Sequence, residues 1–501
     1  MELQILFSLL IFSIAFFYLF SKRRSSGNEN LPPQPWKLPF LGHLHHLVGD
    51  LPHRALGNLA QKLGPIVHLK LGEVSAVVIS SSVLAKEIMK THDLSFVNRP
   101  KILSAEIVGY NYTDIAFAPY GEYWRQMRKI CIVELLSAKK VRSFESVRDE
   151  ESWNLIESIG SLALPPYGSE TINLSEKIFS MVNAIAVRVS IGSKCKDQEK
   201  LVALIKEIIS LSGGFDVSDL FPSVKVLHLI TGMRNKLTKI HNQIDKILDG
   251  IILEHQQRSA TRLNDQNEDL LDVLLRFKDD GGLQFPLTSD NVKAVLVDMF
   301  VAGTDTSSVT IEWAMLELMK NPRVMKKAQA ELRKVVKGKK KIYESDIQEV
   351  AYLKFVIQET LRLHPPLPLL VPRESREKCD IGGYHIPAKT KVIINAWKIG
   401  CDAECWIDPG SFNPERFGET SVNLVGTDFE FLPFGAGRRI CPGMTLGLAN
   451  IELPLARLLY HYNWELPSGV RPEDLDTSET FGATLNLKQT LHLVPIACNT
   501  Y

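Results

Sequence analysis

The sequence predicts a mainly α-helical protein with small β-sheets and an N-terminal transmembrane helix. Long segments with apolar residues at helical spacing fill the middle of the chain, and short β-branched runs lie towards its two ends. The 501 residues are 45% hydrophobic and 23% charged, which is typical of a globular protein with a large core. Because 58 Lys and Arg balance 57 Asp and Glu, no net positive field attracts a polyanion, and we expect no nucleic-acid partner.

The first predicted element is an apolar run over residues 3–20, which carries no charge and is just long enough to cross a bilayer as a helix. Glu2 precedes the run, and Lys22, Arg23 and Arg24 follow it. A cleaved secretory signal would have its basic residues first, whereas basic residues after the run keep the downstream chain in the cytosol. We therefore expect residues 1–21 to be a single-pass anchor in membrane lipid, with the rest of the chain facing the cytosol.

The next segment, residues 22–40, predicts a basic and Pro-rich linker, since prolines at this density favour extended backbone. From residue 41 to residue 501 no long linker and no internal repeat divides the chain, which indicates a single domain. The predicted strands cover 66–71 and 76–80, which read as a hairpin, and 391–396 and 491–495. The clearest predicted helices cover 201–211, 233–255, 291–319, 323–336 and 352–363.

The most informative segment spans residues 431–443, Phe-Leu-Pro-Phe-Gly-Ala-Gly-Arg-Arg-Ile-Cys-Pro-Gly, and an apolar helical pattern follows it. Glycines on both sides of Cys441 let the backbone approach a flat group closely, and Pro442 suits the first turn of a helix. We therefore expect the Cys441 sulfur at a helix N-terminus, where amide donors and the helix dipole favour thiolate over thiol.

This segment follows the pattern F-x-x-G-x-R-x-C-x-G, through which the chain resembles the cytochrome P-450 superfamily of haem-thiolate monooxygenases, plant microsomal type. The resemblance implies the cytochrome P-450 fold, with Cys441 as the proximal ligand to the iron of haem b, iron protoporphyrin IX. It also implies that Phe434 packs near the sulfur and that Arg439 pairs with a haem propionate.

A second motif is the pair Glu359 and Arg362, which are three residues apart on a predicted helix and so face the same side. Alone, this spacing is typical of a solvent-exposed ion pair. The resemblance implies instead that the pair joins Arg416, from the segment Pro-Glu-Arg-Phe at 414–417, in a partly buried charge network. This network would be structural, not catalytic.

Two further segments are assigned to the haem by the same resemblance. Trp124 and Arg128, four residues apart on one helix face, would both reach a propionate, and Arg373 would be a similar partner. Segment 302–307, Ala-Gly-Thr-Asp-Thr-Ser, contains Gly and polar residues of low helix propensity, and the resemblance places it on the distal haem face. We expect its helix to be locally distorted there. There, Thr306 would hydrogen-bond bound dioxygen and Asp305 would supply protons through water.

Electrons must come from outside, because the chain carries no dinucleotide-binding motif in a strand-turn-helix context. The resemblance implies that the electron donor is the membrane-bound NADPH-cytochrome reductase, with O2 as the second substrate. Arg125 and Lys129 are candidate residues for docking that reductase.

The substrate is predicted to be a hydrophobic small molecule, because the segments that would line the distal pocket are apolar. These residues are Ile102, Leu103, Ile107, Val301, Ala302, Leu367, Leu369, Leu370, Val371 and Phe481. Local strings resemble the plant clan that contains limonene and premnaspirodiene hydroxylases, which implies a terpenoid substrate, such as a sesquiterpene or a macrocyclic diterpene. An alkaloid or flavonoid hydroxylase, a reductase-independent haem-thiolate isomerase or dehydratase, and a membrane-tethered haem-binding module without turnover are the alternatives.

Overall fold

Long α-helices form most of the protein. The structure, a computed structural model, describes residues 30–163, 170–224, 226–259 and 268–498, so the predicted anchor at 1–21 lies outside the described residues. The helices of ten or more residues are Pro52–Leu63, Glu122–Cys131, Glu145–Ala163, Leu174–Ile191, Gln198–Leu211, Met233–Ser259, Leu270–Asp280, Ser289–Lys320, Pro322–Val335, Ala351–Leu363 and Met444–His461. Shorter α-helices are Ser82–Lys86, Leu103–Ile107, Ala138–Ser143, Val217–Leu220, Leu227–Ile230, Ala396–Gly400 and Arg416–Glu419.

Within the described ranges, four small sheets accompany the helices. The largest contains, in order, strands β1 (Ile66–Leu71), β2 (Val74–Ile79), β7 (Lys391–Ile394) and β4 (Arg373–Glu374). A three-stranded sheet joins β3 (Ile172–Asn173), β11 (His492–Ala497) and β8 (Tyr462–Glu465). The two remaining pairs are β9 (Glu479–Phe481) with β10 (Leu485–Leu487), and β5 (Cys379–Ile381) with β6 (Tyr384–Ile386).

The predicted elements agree with the observed ones in type, and their ends differ for local reasons. β1 and β2 form the expected antiparallel hairpin, with Ile66 opposite Ile79. The strand predicted over 391–396 ends at Ile394, because Asn395 caps a new helix by accepting a hydrogen bond from the Lys398 amide at 3.0 Å. Side-chain capping therefore ends one element and begins the next.

Ser289–Lys320, the central helix, crosses the core. It begins with a capping box, in which the Thr288 hydroxyl accepts from the Asn291 amide at 3.2 Å and the Asn291 side chain accepts from the Thr288 amide at 2.9 Å. Among the described residues it alone is long and apolar enough to cross a membrane, but 67% of its apolar window is buried inside the protein. Its apolar surface packs against Leu174–Ile191 and Met444–His461, as expected of a core helix.

The expected distortion at residues 302–307 is wrong, because the central helix runs unbroken through this segment. The hydroxyls of Thr306 and Thr310 each donate to the carbonyl four residues earlier, at 2.8 Å. These bonds satisfy the hydroxyls within the helix and let a polar segment remain helical.

The Pro-rich segment is docked onto the body. The His68 amide of β1 donates to the Pro33 carbonyl at 2.9 Å, and the His385 amide of β6 donates to the Asn30 carbonyl at 2.7 Å. The backbone of residues 30–33 thus supplies acceptors to two strands. The division of the chain at residue 40 stays a prediction.

Candidate active site

The cysteine loop, residues 431–443, folds back on itself before the helix Met444–His461. The Cys441 amide donates to the Phe434 carbonyl at 3.0 Å, which fixes Phe434 beside the cysteine. Gly437 has φ +70°, and a side chain there would collide with the Met89 carbonyl, so the close approach requires glycine. Pro442 lies in the turn before Met444 and not in the first helical turn, a small correction to the expected position.

The surroundings of Cys441 act on its pKa in opposite directions. Burial raises the pKa of the Cys441 thiol above its ordinary value, while a hydrogen bond from the Gly443 amide and the positive charge of Arg128 lower it. Within the protein alone, desolvation therefore outweighs the amide donor and the nearby cation. A metal ion at the sulfur would reverse this balance, since thiolate is the form that binds metals.

Four arginines form a cluster beside the cysteine loop: Arg99, Arg128, Arg373 and Arg439. Burial, followed by repulsion from Arg373 and Arg128, lowers the pKa of Arg439 to about 9. Burial and repulsion from Arg439, Arg373 and Arg128 also lower the pKa of Arg99. Since a guanidinium keeps its proton in proteins, this cluster is a strong site for anions.

The members of this arginine cluster bind mainly backbone carbonyls. Arg439 donates to Val97 at 3.0 Å and to Ala118 at 2.6 Å, and Arg128 donates to Ile440. Arg99, which the sequence analysis missed, donates to Ala116, Val371 and Pro372 at 2.6–3.0 Å. No sequence pattern marked Arg99, because its partners are distant in the chain.

Trp124 lies between two of these guanidiniums. Arg439 is 4.2 Å and Arg128 is 5.3 Å from the centre of the Trp124 ring. The Trp124 indole donates to the Ile115 carbonyl at 3.0 Å. The indole thus orders the arginine cluster through its ring, and its assignment to a propionate stays a prediction.

Asp93 connects Arg373 to the cysteine loop. Its carboxylate accepts from the Arg373 side chain at 2.8 Å and from the Arg438 amide at 3.0 Å. Arg373 also donates to the Ala436 carbonyl at 2.7 Å. Asp93 was likewise missed from the sequence, and it holds one of the four cations at a defined place beside the loop.

These residues fit the implied haem. The half-buried Cys441 offers a soft sulfur ligand for iron. The arginine cluster offers the positive charge that two propionates need. The backbone at Gly435 is open, since the nearest atom to a side chain there would be Leu370 Cδ1 at 3.8 Å. Cys441 would hold the iron, and Arg99, Arg128, Arg373 and Arg439 would hold the propionates.

The central helix lines a cavity. Ala302 is exposed, and Thr306, one turn further, is half-buried. Both residues, together with Asp305, line an empty space of about 1300 Å³ that is partly open to solvent. The helix thus presents a small apolar residue, a hydroxyl and a carboxyl to one cavity.

Asp305 belongs to a buried hydrogen-bond chain. Its carboxylate accepts from the Thr484 hydroxyl, and the Asn486 side chain donates to the same hydroxyl at 2.8 Å. Burial raises the pKa of Asp305 to about 7, although the Thr484 hydroxyl lowers it. A carboxyl with this pKa can both bind and release a proton near neutrality.

The cavity is mostly apolar. Its apolar lining includes Ile102, Ala105, Val108, Phe117, Ile208, Phe215, Val297, Val301, Leu367, Leu369, Leu370, Val371, Ile393, Phe481 and Ala483. Of the predicted wall, Leu103 and Ile107 are not part of this lining, because they pack into the main core on the other side of their short helix. Ala105 and Val108 face the cavity in their place.

Two carboxyls occupy another part of the cavity wall. Asp298 accepts from the amides of Ile115 at 2.6 Å and Ala116 at 3.2 Å, which ties that loop to the central helix. Asp114 accepts from the Phe117 amide. Burial raises the pKa of Asp114 to about 6, and burial with repulsion from Asp114 raises the pKa of Asp298. Neither residue was identified from the sequence.

Glu359, Arg362 and Arg416 meet as a buried triad. Arg362 donates to both Glu359 oxygens at 2.7 and 2.8 Å, and Arg416 donates to one of them at 3.0 Å. The Glu359 and Arg362 side chains are both 0% exposed. Further donors of the two arginines bind backbone carbonyls in the segment 400–411 that leads towards the cysteine loop.

Arg125 and Lys129 lie on the outer face of the helix Glu122–Cys131. Both are exposed, whereas Trp124 on the same helix is buried. Arg125 pairs with Glu122 at the surface. This face is accessible to a partner protein, and its use by a reductase stays a prediction.

Comparison with known proteins extends the similarity along the whole chain. The family model for cytochrome P-450 matches residues 32–494. Premnaspirodiene oxygenase of Hyoscyamus muticus is 52% identical over 99% of this chain and 98% of its own length. Desmethyl-deoxy-podophyllotoxin synthase of Sinopodophyllum hexandrum is 55% identical over 96% and 95%. Germacrene A hydroxylase of Barnadesia spinosa is 54% identical over 95% and 94%.

A solved structure shares the fold. It is a zebra fish cytochrome P-450 with progesterone, which superposes with a TM-score of 0.76 at 26% identity and covers 89% of this chain and 100% of that chain. The similarity therefore includes the helical body and its sheets, beyond the cysteine loop from which the resemblance was first inferred.

Proposed function

Because the chain belongs to the cytochrome P-450 family, and is a haem-thiolate monooxygenase supplied with electrons by a reductase, we propose that it oxidises a hydrophobic plant terpenoid. The proposed skeleton is a sesquiterpene or a macrocyclic diterpene. In the proposed reaction, substrate, O2, NADPH and a proton give hydroxylated product, water and NADP+. The observation that carries the proposal is the apolar cavity into which Ala302 and Thr306 project.

The chain's own residues would position the reactants. Haem, when bound, supplies the iron at which dioxygen is reduced and split. Cys441 would be the iron ligand, and Phe434 would keep the loop in place, because its carbonyl accepts from the Cys441 amide. The apolar wall would hold the substrate and exclude bulk water, which favours transfer of oxygen to the substrate over its loss.

Two side chains of the central helix would handle protons. The Thr306 hydroxyl, now bonded to the Ala302 carbonyl at 2.8 Å, would offer a donor to oxygen in the cavity. Asp305, one oxygen of which accepts from the Thr484 hydroxyl, would exchange protons through its carboxyl group. Burial raises the pKa of Asp305 to about 7, so that both of its protonation states are populated near neutral pH.

This acid-alcohol pair argues against the reductase-independent isomerases and dehydratases, which commonly lack it. It also argues against a haem-binding module without turnover, since a binding module has no need of a buried proton donor beside the cavity.

A second candidate is oxidation of a different class of hydrophobic plant metabolite, such as an alkaloid or a flavonoid. The similarity to desmethyl-deoxy-podophyllotoxin synthase, at 55% identity, favours this alternative, because that relative is named for a podophyllotoxin product. An apolar cavity accepts either class.

We also propose that the protein is held in the endoplasmic reticulum membrane by residues 1–21 and faces the cytosol. The charge order around the apolar run supports this orientation. Such an anchor would place the cavity close to lipid-dissolved substrates and to the reductase.

The test is turnover of a substrate panel by membranes that contain the protein, the reductase and NADPH, with products identified by mass spectrometry. We expect at least one terpene to be oxidised, and Thr306→Ala to reduce the rate by roughly 10-fold or more through loss of its donor. Thr310→Ala is the matched control, because Thr310 makes the same bond back to its helix but does not line the cavity. Oxidation of alkaloids or flavonoids but of no terpenoid would reject the proposal.

A further inference from the structure

The cavity wall contains one basic side chain, Lys391, among residues that are mostly apolar. Three other polar side chains of the wall have partners within the protein: Thr306 bonds Ala302, Asp305 bonds Thr484, and Asp298 accepts two backbone amides. An amine at a buried position costs free energy unless its hydrogen bonds are made. The use of Lys391 in this wall therefore requires a reason.

The direction of the Lys391 side chain follows from its strand. Lys391 and Ile393 are two residues apart on β7, so that they point to the same face of the sheet. Both line the cavity, whereas Val392 and Ile394 pack into a separate core cluster on the opposite face. Lys391 is 6% exposed, so the strand buries this amine towards the cavity instead of directing it to solvent.

The contacts of the ammonium group are few. It donates to the Gly214 carbonyl at 3.2 Å, and it lies 5.3 Å from the centre of the Phe215 ring. An ammonium group has three donors, and this is the one hydrogen bond that it makes with the described residues. Burial lowers the pKa of Lys391, while the negative charge of Asp219 raises it.

Asp219 determines which ligand suits Lys391. Its carboxylate accepts from the Leu103 amide at 2.7 Å, which fixes it next to the helix Leu103–Ile107. Because the negative charge of Asp219 acts on Lys391, a carboxylate ligand beside the ammonium would be repelled by that charge. A neutral oxygen, such as a carbonyl or a hydroxyl, would accept a hydrogen bond from the ammonium without that cost.

We propose that Lys391 is a specificity-determining residue that donates a hydrogen bond to a neutral oxygen of the substrate. The preferred substrate is then a terpenoid that already carries a hydroxyl or carbonyl group, not a hydrocarbon. A reaction that oxygenates the hydrocarbon skeleton must come earlier. This inference rests on the proposed function and names the substrate class more closely.

The test compares binding of matched ligands that differ by oxygen. The probes are valencene with its ketone nootkatone, and a macrocyclic diterpene hydrocarbon with its alcohol, measured by equilibrium dialysis against the holoenzyme. We expect the oxygenated ligand of each pair to bind the wild type roughly 10-fold more tightly than it binds Lys391→Met, because the variant lacks the charged hydrogen-bond donor. Hydrocarbon affinity should be equal in the two proteins, because methionine keeps the unbranched apolar chain.

Three outcomes are informative. If Lys391→Met lowers both affinities alike, or neither, the proposal is overturned while the terpenoid function stands. If no terpenoid binds and an alkaloid or flavonoid does, the terpenoid function itself has failed, and the inference fails with it. Should Lys391→Met not fold, the wild type alone decides: equal affinity for each hydrocarbon and its oxygenated partner contradicts the proposal.

Discussion

Asp305 shows how a single side chain acquires its chemistry from burial. Its carboxyl bonds Thr484 in a cavity wall, and burial raises its pKa to about 7. The hydroxyl of Thr484 stabilises the ionised form and so keeps the pKa lower than burial alone would. Together, burial and this hydrogen bond give Asp305 a pKa at which it can take up and release a proton near neutral pH.

A change at Thr484 should therefore move the pH dependence of turnover. Thr484→Val removes the donor to the carboxylate, which raises the pKa of Asp305 further. The protonated form then persists to higher pH, and the falling limb of the rate against pH should shift to higher pH. Thr484→Ser keeps the donor and serves as the control. Product formation measured across pH would refute this role if the valine and serine variants had the same profile.

At this scale, the residues that local motifs mark were predictable, and those that depend on tertiary packing were not. Cys441, Phe434 and Arg439 fall within ten residues of one another, so their pattern is visible in the chain. Arg99 joins the same cluster only because folding brings its guanidinium to the carbonyls of Val371 and Pro372. Asp298 is similar, since its partners are the amides of a distant loop.

Among the elements, the helix Ala351–Leu363 connects the core to the segment before the cysteine loop through Glu359. One carboxylate there is shared by two buried arginines, whose other donors bind the backbone of residues 400–411. Removing its charge would leave two guanidiniums buried without an anion, a state that burial makes costly.

We expect Glu359→Gln to lower the free energy of unfolding by about 3–5 kcal/mol. Glu122→Gln is the matched control, because Glu122 and Arg125 have the same spacing but are 45% and 55% exposed, and such a pair contributes about 1 kcal/mol or less. Chemical denaturation of the holoenzyme variants measures both values. Equal effects of the two substitutions would show that the triad contributes no more to the free energy of unfolding than a surface ion pair does.

Element types followed from apolar spacing, and element ends were harder to predict. The central helix was expected over 291–319 and covers Ser289–Lys320, because its capping box adds the first turn. The strand β7 begins at Lys391 as expected, but the sequence did not predict that Lys391 faces the cavity. Its burial depends on Gly214 and Phe215, which no local pattern places beside it.

In the whole molecule, we propose that the cysteine loop, the arginine cluster and the central helix together form one site. The cysteine loop supplies a sulfur, the arginine cluster supplies positive charge, and the central helix supplies the cavity wall. None of the three would hold a haem alone. The four-stranded sheet, which contains Arg373, and the helix Ala351–Leu363 hold these parts at fixed positions.

The absorption spectrum of the complete protein, reduced with dithionite and treated with carbon monoxide, tests this arrangement most directly. The wild type should show the shifted Soret band that is typical of thiolate-ligated haem. Cys405→Ser, which changes an exposed cysteine, should show the same band. Cys441→Ser should lose that shifted band, because serine offers no soft ligand to the iron. A shifted band that survives in Cys441→Ser, or is missing from the wild type, would contradict the assignment of Cys441 as the haem ligand.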